Sequence, residues 1–181
     1  MTVYLIRHGK TAGNLTGRYI GATDEPLCSQ GIAELQTRAY PAVQRVFVSP
    51  MKRCKETASL LYPGVKQIVA PDLRECDFGL FEGKNYAELN GRADYQAWID
   101  SGGELPFPEG ESRKTFAARC VAAFCQAMKT VTEEDVAFVV HGGTIMAIME
   151  ACAKPPQNYF CWQVKCGEGF ALETDGSWRK L

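Results

Sequence analysis

"VYLIRHGKTAGN", residues 3–14, decides how the chain is read. Val3, Tyr4, Leu5 and Ile6 form a β-branched, aromatic and aliphatic run, which suits a strand covered on both faces. Arg7, His8 and Gly9 follow at once, and small polar residues follow them. The chain has only 2 histidines in 181 residues, and it places one beside an arginine at the tip of its first strand. Working outward, the same kind of run recurs at 45–49 (RVFVS) and 136–140 (VAFVV), with a weaker one at 66–70 (KQIVA). The tail "NYFCWQVKCGEGFALETDGSWRKL" alternates around "CGEG" and "TDGS" and reads as hairpin strands. Helical periodicity lies between, over 29–40 with Ser29 as cap, 51–62, 93–100, 112–131 with Ser112 as cap, and 143–153. Residues 99–111, rich in glycine, proline and acid, read as a loop. Strands alternating with helices predict an α/β chain: a three-layer αβα sandwich with a mostly parallel central sheet, one domain over 1–181.

Composition narrows the function. A hydrophobic fraction of 46%, a charged fraction of 23% and a net charge of −1 are those of an ordinary globular chain without a nucleic-acid-binding charge balance. No stretch reaches the ~18 apolar residues that a membrane span needs, and the opening apolar run is too short for a signal peptide. The expectation is a cytoplasmic protein with no membrane and no nucleic-acid partner, as a monomer or homodimer. The 8 cysteines include no C-x-x-C and read as reduced thiols used as small hydrophobes. Cysteine and histidine do not cluster at ligand spacing, so no metal and no cofactor are expected.

In open α/β sheets, ligands bind beyond the carboxyl ends of the strands. After the first strand come Arg7, His8, Lys10 and Asn14; after the second, a helix with Arg53 and Thr57 at i, i+4. After the weaker strand comes "PDLRECDFGLFEG", and after 136–140 come His141, Gly142, Gly143 and Thr144. Singly, each has an ordinary structural reading: a strand-end cap, a solvated arginine, a turn glutamate, a tight glycine turn. Together they put both histidines and two arginines at one sheet edge. Planar guanidinium forks match phosphate oxygens, and a glycine-rich helix start adds N–H donors and the positive end of a dipole. An imidazole with a pKa near ~6.5 is a nucleophile at neutral pH, and a carboxylic acid can protonate a departing alkoxide. This set points to phosphoryl transfer.

These residues resemble the motifs of the histidine phosphatases, the superfamily of cofactor-dependent phosphoglycerate mutases. "LIRHGKTAGN" is similar to its R-H-G-x-T-x-x-N opening, and "VSPMKRCKETA" to its S-x-x-x-R-x-x-x-T-A helix. "LRECDFGLFEG" and "VVHGGT" resemble its acidic and second-histidine segments, and "PEGES" the loop that enters the long helix. The resemblance implies that His8 attacks phosphorus and becomes a phosphohistidine. Arg7, Arg53, His141, Asn14 and the Gly142 backbone would bind the phosphoryl oxygens, with His141 protonated in the loaded site. Glu75 would be the general acid, then the base that activates water, with Glu82 as the rival acid. Lys10 departs from the Glu or Gln of many members and bears on substrate preference alone.

The resemblance further implies a phosphatase acting on a small phosphate monoester, since the segment after Gly83 is too short for the insertion typical of mutases. "GRYIGATDEPLCSQG" and "FCWQVKCGEGFALE" look most like α-ribazole phosphatases of cobalamin assembly. The segment 84–112 reads as a specificity cap in which Tyr86, Tyr95, Trp98 and Phe107 could stack on a flat base. A broad-specificity phosphatase, a mutase and a phosphate-ester-binding module without catalysis are the alternatives.

Overall fold

The computed structural model describes residues 1–181. Six strands form one sheet in the order β3-β2-β4-β1-β5-β6. They are β1 Thr2–Arg7, β2 Arg45–Val48, β3 Gln67–Val69, β4 Val136–Val140, β5 Gly169–Glu173 and β6 Trp178–Lys180. The pairs β1–β4, β4–β2 and β2–β3 are parallel, and β5 and β6 add antiparallel strands beside β1. Seven α-helices accompany them: α1 Ala12–Leu15, α2 Ser29–Gln36, α3 Lys52–Leu61, α4 Tyr86–Leu89, α5 Ala93–Asp100, α6 Arg113–Met128 and α7 Gly142–Cys152. The α/β expectation with a mostly parallel sheet holds, and none of the helices is long and apolar enough to cross a membrane.

Side-chain alternation along the central strands builds the layers. Val3 and Leu5 of β1, with Val136, Phe138 and Val140 of β4, join Phe124 of α6 and Ile145, Ile148 and Met149 of α7 in one apolar cluster. Tyr4 and Ile6, with Ala137 and Val139, join Cys54 and Ala58 of α3 on the opposite face. Continuing this period of two beyond the strand ends puts His8 and His141 on the α3 side. A third cluster packs Phe81, Leu89, Tyr95 and Phe107 onto Phe116 and Ala147 of α6 and α7.

Three local expectations need correction. Helix α2 is capped by Cys28, whose Sγ accepts from the Gly31 N–H at 3.4 Å, and not by Ser29; it ends at Gln36. "CGEG" is no hairpin turn. The Gly167 N–H (φ +76°) donates to the carbonyl oxygens of Arg7 (3.0 Å) and His8 (3.3 Å), so this stretch wraps the tip of β1. The hairpin turn is "TDGS", between β5 and β6. All eight thiols are free; Cys54, Cys76 and Cys120 are buried, whereas Cys125 and Cys161 are exposed and do not serve as core hydrophobes.

Candidate active site

The parallel pairing aligns Arg7 with Val140, so the residues that leave the two strands, His8 and His141, emerge side by side. Their rings meet edge to face with centroids 5.2 Å apart. His8 is 3% exposed, and its Nδ1 lies 2.7 Å from the Gly9 carbonyl oxygen. A carbonyl only accepts, so Nδ1 carries the hydrogen and Nε2 keeps its lone pair. Burial, then the charges of Arg53 and Arg7, hold the His8 pKa well below the ordinary imidazole range. The ring is therefore neutral at neutral pH, the state a nucleophile needs. Gly9 owes its small size to packing rather than to a turn: a Cβ there would stand 2.7 Å from Leu35 Cδ1. Its N–H donates to Thr57 Oγ1 at 3.0 Å, and that hydroxyl donates to the Arg53 carbonyl at 2.6 Å.

Arg53 is 1% exposed. Its Nη1 donates to Thr23 O (2.8 Å), and its Nη2 to Ile20 O (3.3 Å) and Gly21 O (3.0 Å). Arg7 Nη1 donates to Val164 O at 2.7 Å. Each guanidinium leaves its Nε–H buried and without an acceptor. Two guanidinium groups, Arg53 buried and Arg7 half-buried, with unspent donors beside one imidazole form an anion site. Helix α7 adds to it, because no side chain caps its start and the amides of Gly142 and Gly143 keep their donors. Asn14 Oδ1 accepts from the Thr11 N–H at 3.1 Å, which leaves its Nδ2 donors for the cavity that Asn14 lines.

His141 is wholly buried, and its Nε2 lies 2.7 Å from Ser49 Oγ. That buried hydroxyl also accepts from the Met51 N–H at 3.4 Å, and of its hydrogen-bond partners Nε2 is the one that can take its hydrogen, which assigns the imidazole hydrogen to Nδ1. Nδ1 faces Glu75 Oε2 at 3.9 Å. Burial, then the charges of His8, Arg53 and Arg7, hold the His141 pKa well below its ordinary range. These surroundings favour a neutral ring with its hydrogen on Nδ1, and the imidazolium expected from sequence is that of the site loaded with a phosphoryl dianion, whose charge raises the same pKa. Sequence reasoning gave Ser49 no role, although it directly follows β2 as His8 directly follows β1.

Glu75 Oε1 accepts from the Cys76 N–H at 3.0 Å. Burial raises the Glu75 pKa above the ordinary carboxyl value, more strongly than that hydrogen bond and the charges of Arg53, Arg7 and Arg119 lower it. Such a group keeps a proton to give. The carboxylate presses against the start of α7, where a Cβ on Gly143 would stand 2.9 Å from Glu75 Oε1. Arg119 of α6 holds the segment before it, donating to Asp72 O (2.7 Å), Arg74 O (3.1 Å) and Glu75 O (3.4 Å). Glu111 grips Arg119 through both oxygens, at 3.0 and 2.7 Å.

A cavity of about 560 Å³ opens above this floor. Arg7, His8, Glu75, Gly142 and Gly143 line it, and Arg53 and His141 lie just behind them. Tyr86, Trp98 and Phe107 form one wall; Tyr86 is 65% exposed, and Trp98 stacks on Phe107 with centroids 4.9 Å apart. Tyr95 is a correction: at 5% exposure it lies beneath the wall, outside the lining, with its ring stacked on Trp98. Lys10 lines the cavity, but its Nζ is paired with Glu34 at 2.7 Å. Sequence reasoning missed another part of the lining, where the Arg113 guanidinium packs over the rings of Tyr159 and Phe160.

Known proteins are similar to the chain. The adenosylcobalamin/α-ribazole phosphatase of Salmonella typhimurium is 27% identical to the chain over an alignment covering 99% of each. A metal-independent phosphoserine phosphatase of Arabidopsis thaliana is 32% identical over 81% of this chain and 66% of its own. The crystal structure of the α-ribazole phosphatase from Shigella flexneri superposes with a TM-score of 0.83 at 25% identity, over 96% of this chain and 90% of that one. The family description "histidine phosphatase superfamily (branch 1)" matches residues 3–177, and the chain belongs to that superfamily.

Proposed function

We propose that the protein hydrolyses a phosphate monoester through a phosphohistidine on His8, with α-ribazole 5′-phosphate as the substrate. The observation that carries the reaction is the fixed tautomer of His8, its free Nε2 set among two guanidinium groups and the start of α7. Nε2 attacks phosphorus while the ester P–O bond breaks, and protonated Glu75 gives its hydrogen to the leaving alkoxide. Arg7, Arg53, Asn14, the His141 Nδ1–H and the Gly142 amide hold the phosphoryl oxygens as charge develops. Glu75, now a carboxylate, takes a proton from water, whose oxygen attacks phosphorus as the P–N bond breaks. Inorganic phosphate leaves, and His8 and Glu75 return to their starting states.

The aromatic substrate is supported by the walls of the cavity and by the near-complete overlap with the Salmonella typhimurium relative. The segment 84–112, proposed as a specificity cap, supplies the wall of Tyr86, Trp98 and Phe107. Flat bases stack on such rings, which suit a benzimidazole nucleotide better than a three-carbon phosphate ester. The test is kcat/KM for phosphate release from α-ribazole 5′-phosphate, 3-phosphoglycerate, sugar phosphates and an aryl phosphate. Preference for α-ribazole 5′-phosphate by ~10²-fold or more, about 2.7 kcal/mol, is expected. Equal release from all four removes the substrate assignment, and transfer of phosphate within 3-phosphoglycerate would make the chain a mutase.

Ser49→Ala tests the tautomer assigned to His141. Without the serine hydroxyl, Nε2 is a buried acceptor left with only the weak Cys54 thiol at 3.6 Å, a loss of about 1–3 kcal/mol. The hydrogen is then no longer held on Nδ1, and kcat/KM is expected to fall roughly tenfold or more. An unchanged kcat/KM would remove Ser49 from this role.

A further inference from the structure

The second glutamate of "LRECDFGLFEG" takes no part in the chemistry above. Glu82 lies outside the cavity lining, and the turn beside it belongs to Gly83, whose φ of +71° suits a glycine. Its carboxylate makes four hydrogen-bond contacts with three donors of one loop. The Gly21 N–H reaches both oxygens (3.0 and 3.1 Å), and the Thr23 N–H (2.9 Å) and Thr23 Oγ1 (2.7 Å) reach Oε1. Arg53 grips the same loop from the other side, through the carbonyl oxygens of Ile20, Gly21 and Thr23. The peptide unit joining Ile20 to Gly21 is thus held at both ends, its N–H on Glu82 and its C=O on Arg53. A carboxylate on the N–H end polarises the unit and strengthens its oxygen as an acceptor. The loop has no room to shift inward, because a Cβ on Gly21 would stand 1.9 Å from Cys76 O.

We propose that Glu82 is a positioning residue that acts through the 20–23 loop to fix the Arg53 guanidinium against the phosphoryl site. The proposal rests on the reading of Arg53 as a phosphoryl-binding group. The three loop carbonyls take up Nη2 and one hydrogen of Nη1 of Arg53, and the donors they leave include a buried Nε–H with no acceptor. Where that donor points depends on where the carbonyls point. Residues 22–24 are exposed, so the Glu82 carboxylate supplies the loop's anchor on its outer side. In Glu82→Gln, one oxygen becomes an NH₂ facing N–H donors, and the charge that polarised the peptide is gone.

The experiment is a double-mutant cycle of Glu82→Gln and Arg53→Lys, reading kcat/KM, inhibition by inorganic phosphate, and the melting temperature. On the native background, Glu82→Gln is expected to weaken phosphate binding and lower kcat/KM by roughly 10- to 100-fold. On the Arg53→Lys background the same change is expected to cost less than about threefold, since its route of action is already broken. Full, multiplicative losses on both backgrounds would overturn the proposal. So would a lowered melting temperature with unchanged phosphate affinity per folded molecule. If Glu82→Gln does not fold, Thr23→Val removes a single contact at an exposed position; about threefold weaker phosphate binding is expected, and unchanged binding overturns the proposal. A native chain that neither binds phosphate nor hydrolyses esters would overturn the phosphatase reading and this one with it.

Discussion

His8→Ala is expected to lower kcat/KM by at least ~10⁴-fold, about 5.4 kcal/mol, because it deletes the atom that forms the new bond. Binding should outlast catalysis. Arg7, Arg53 and the start of α7 hold their positions through backbone carbonyls and the sheet, so inorganic phosphate is still expected to bind. Native enzyme incubated with labelled ester and quenched in alkaline detergent should retain alkali-stable, acid-labile phosphate on the chain, and the alanine variant none. A variant with native-like turnover would remove the phosphohistidine from the mechanism.

Glu75→Gln is the second large effect, about 10²- to 10⁴-fold in kcat/KM for an alkyl ester. An aryl phosphate, whose phenolate leaves without a proton, should be cleaved almost normally in the first half-reaction. The second half-reaction has then lost its base, so a burst of phenol followed by slow turnover is expected. Equal losses for both esters, without a burst, would count against this role. The pH dependence follows from two opposite shifts. Glu75 gives a proton only below its pKa, which burial raises, so kcat/KM falls as pH climbs through that raised value. His8 attacks only when unprotonated, and its pKa is depressed by burial, Arg53 and Arg7, so activity persists until pH falls through that low value. The profile is therefore a bell whose acid limb is set by His8 and whose alkaline limb is set by Glu75, and Glu75→Gln should flatten its alkaline limb.

The core strands were legible because β1, β2 and β4 are covered on both faces and show it as continuous apolar runs. β3, an edge strand of three residues with Val69 46% exposed, has little apolar signal to give. Arg7, His8, Arg53, Glu75 and His141 were readable because each directly follows a strand or sits near the start of the segment after it. The part of the lining made by Tyr159 and Phe160 was not readable. They belong to a single 3₁₀ turn in a tail that looked like alternating strand, and their place beside the cavity rests on contacts with Arg113 and Gly143, distant in sequence. Tyr95 failed for a related reason. On a short helix its direction depends on what lies below, and there its hydroxyl meets that of Tyr19 at 3.3 Å. Glu82 was legible as a residue other than the preferred acid, but its carboxylate's partners lie some sixty positions away in the chain.

The register between β1 and β4 also bears on how this protein loses activity. The His8 amide donates to Val140 O at 2.9 Å and the Ser49 amide to Val139 O at 3.2 Å, so both are sewn into the middle of the sheet. Amides in such positions exchange their hydrogens chiefly when a whole cooperative unit opens, and local fraying does not reach them. The spacing between the two histidines is then a property of the folded state as a whole. A substitution elsewhere that weakens the fold reduces how many molecules are folded and leaves the turnover of each folded molecule as it was. Damage to abundance and damage to chemistry therefore fall on different residues.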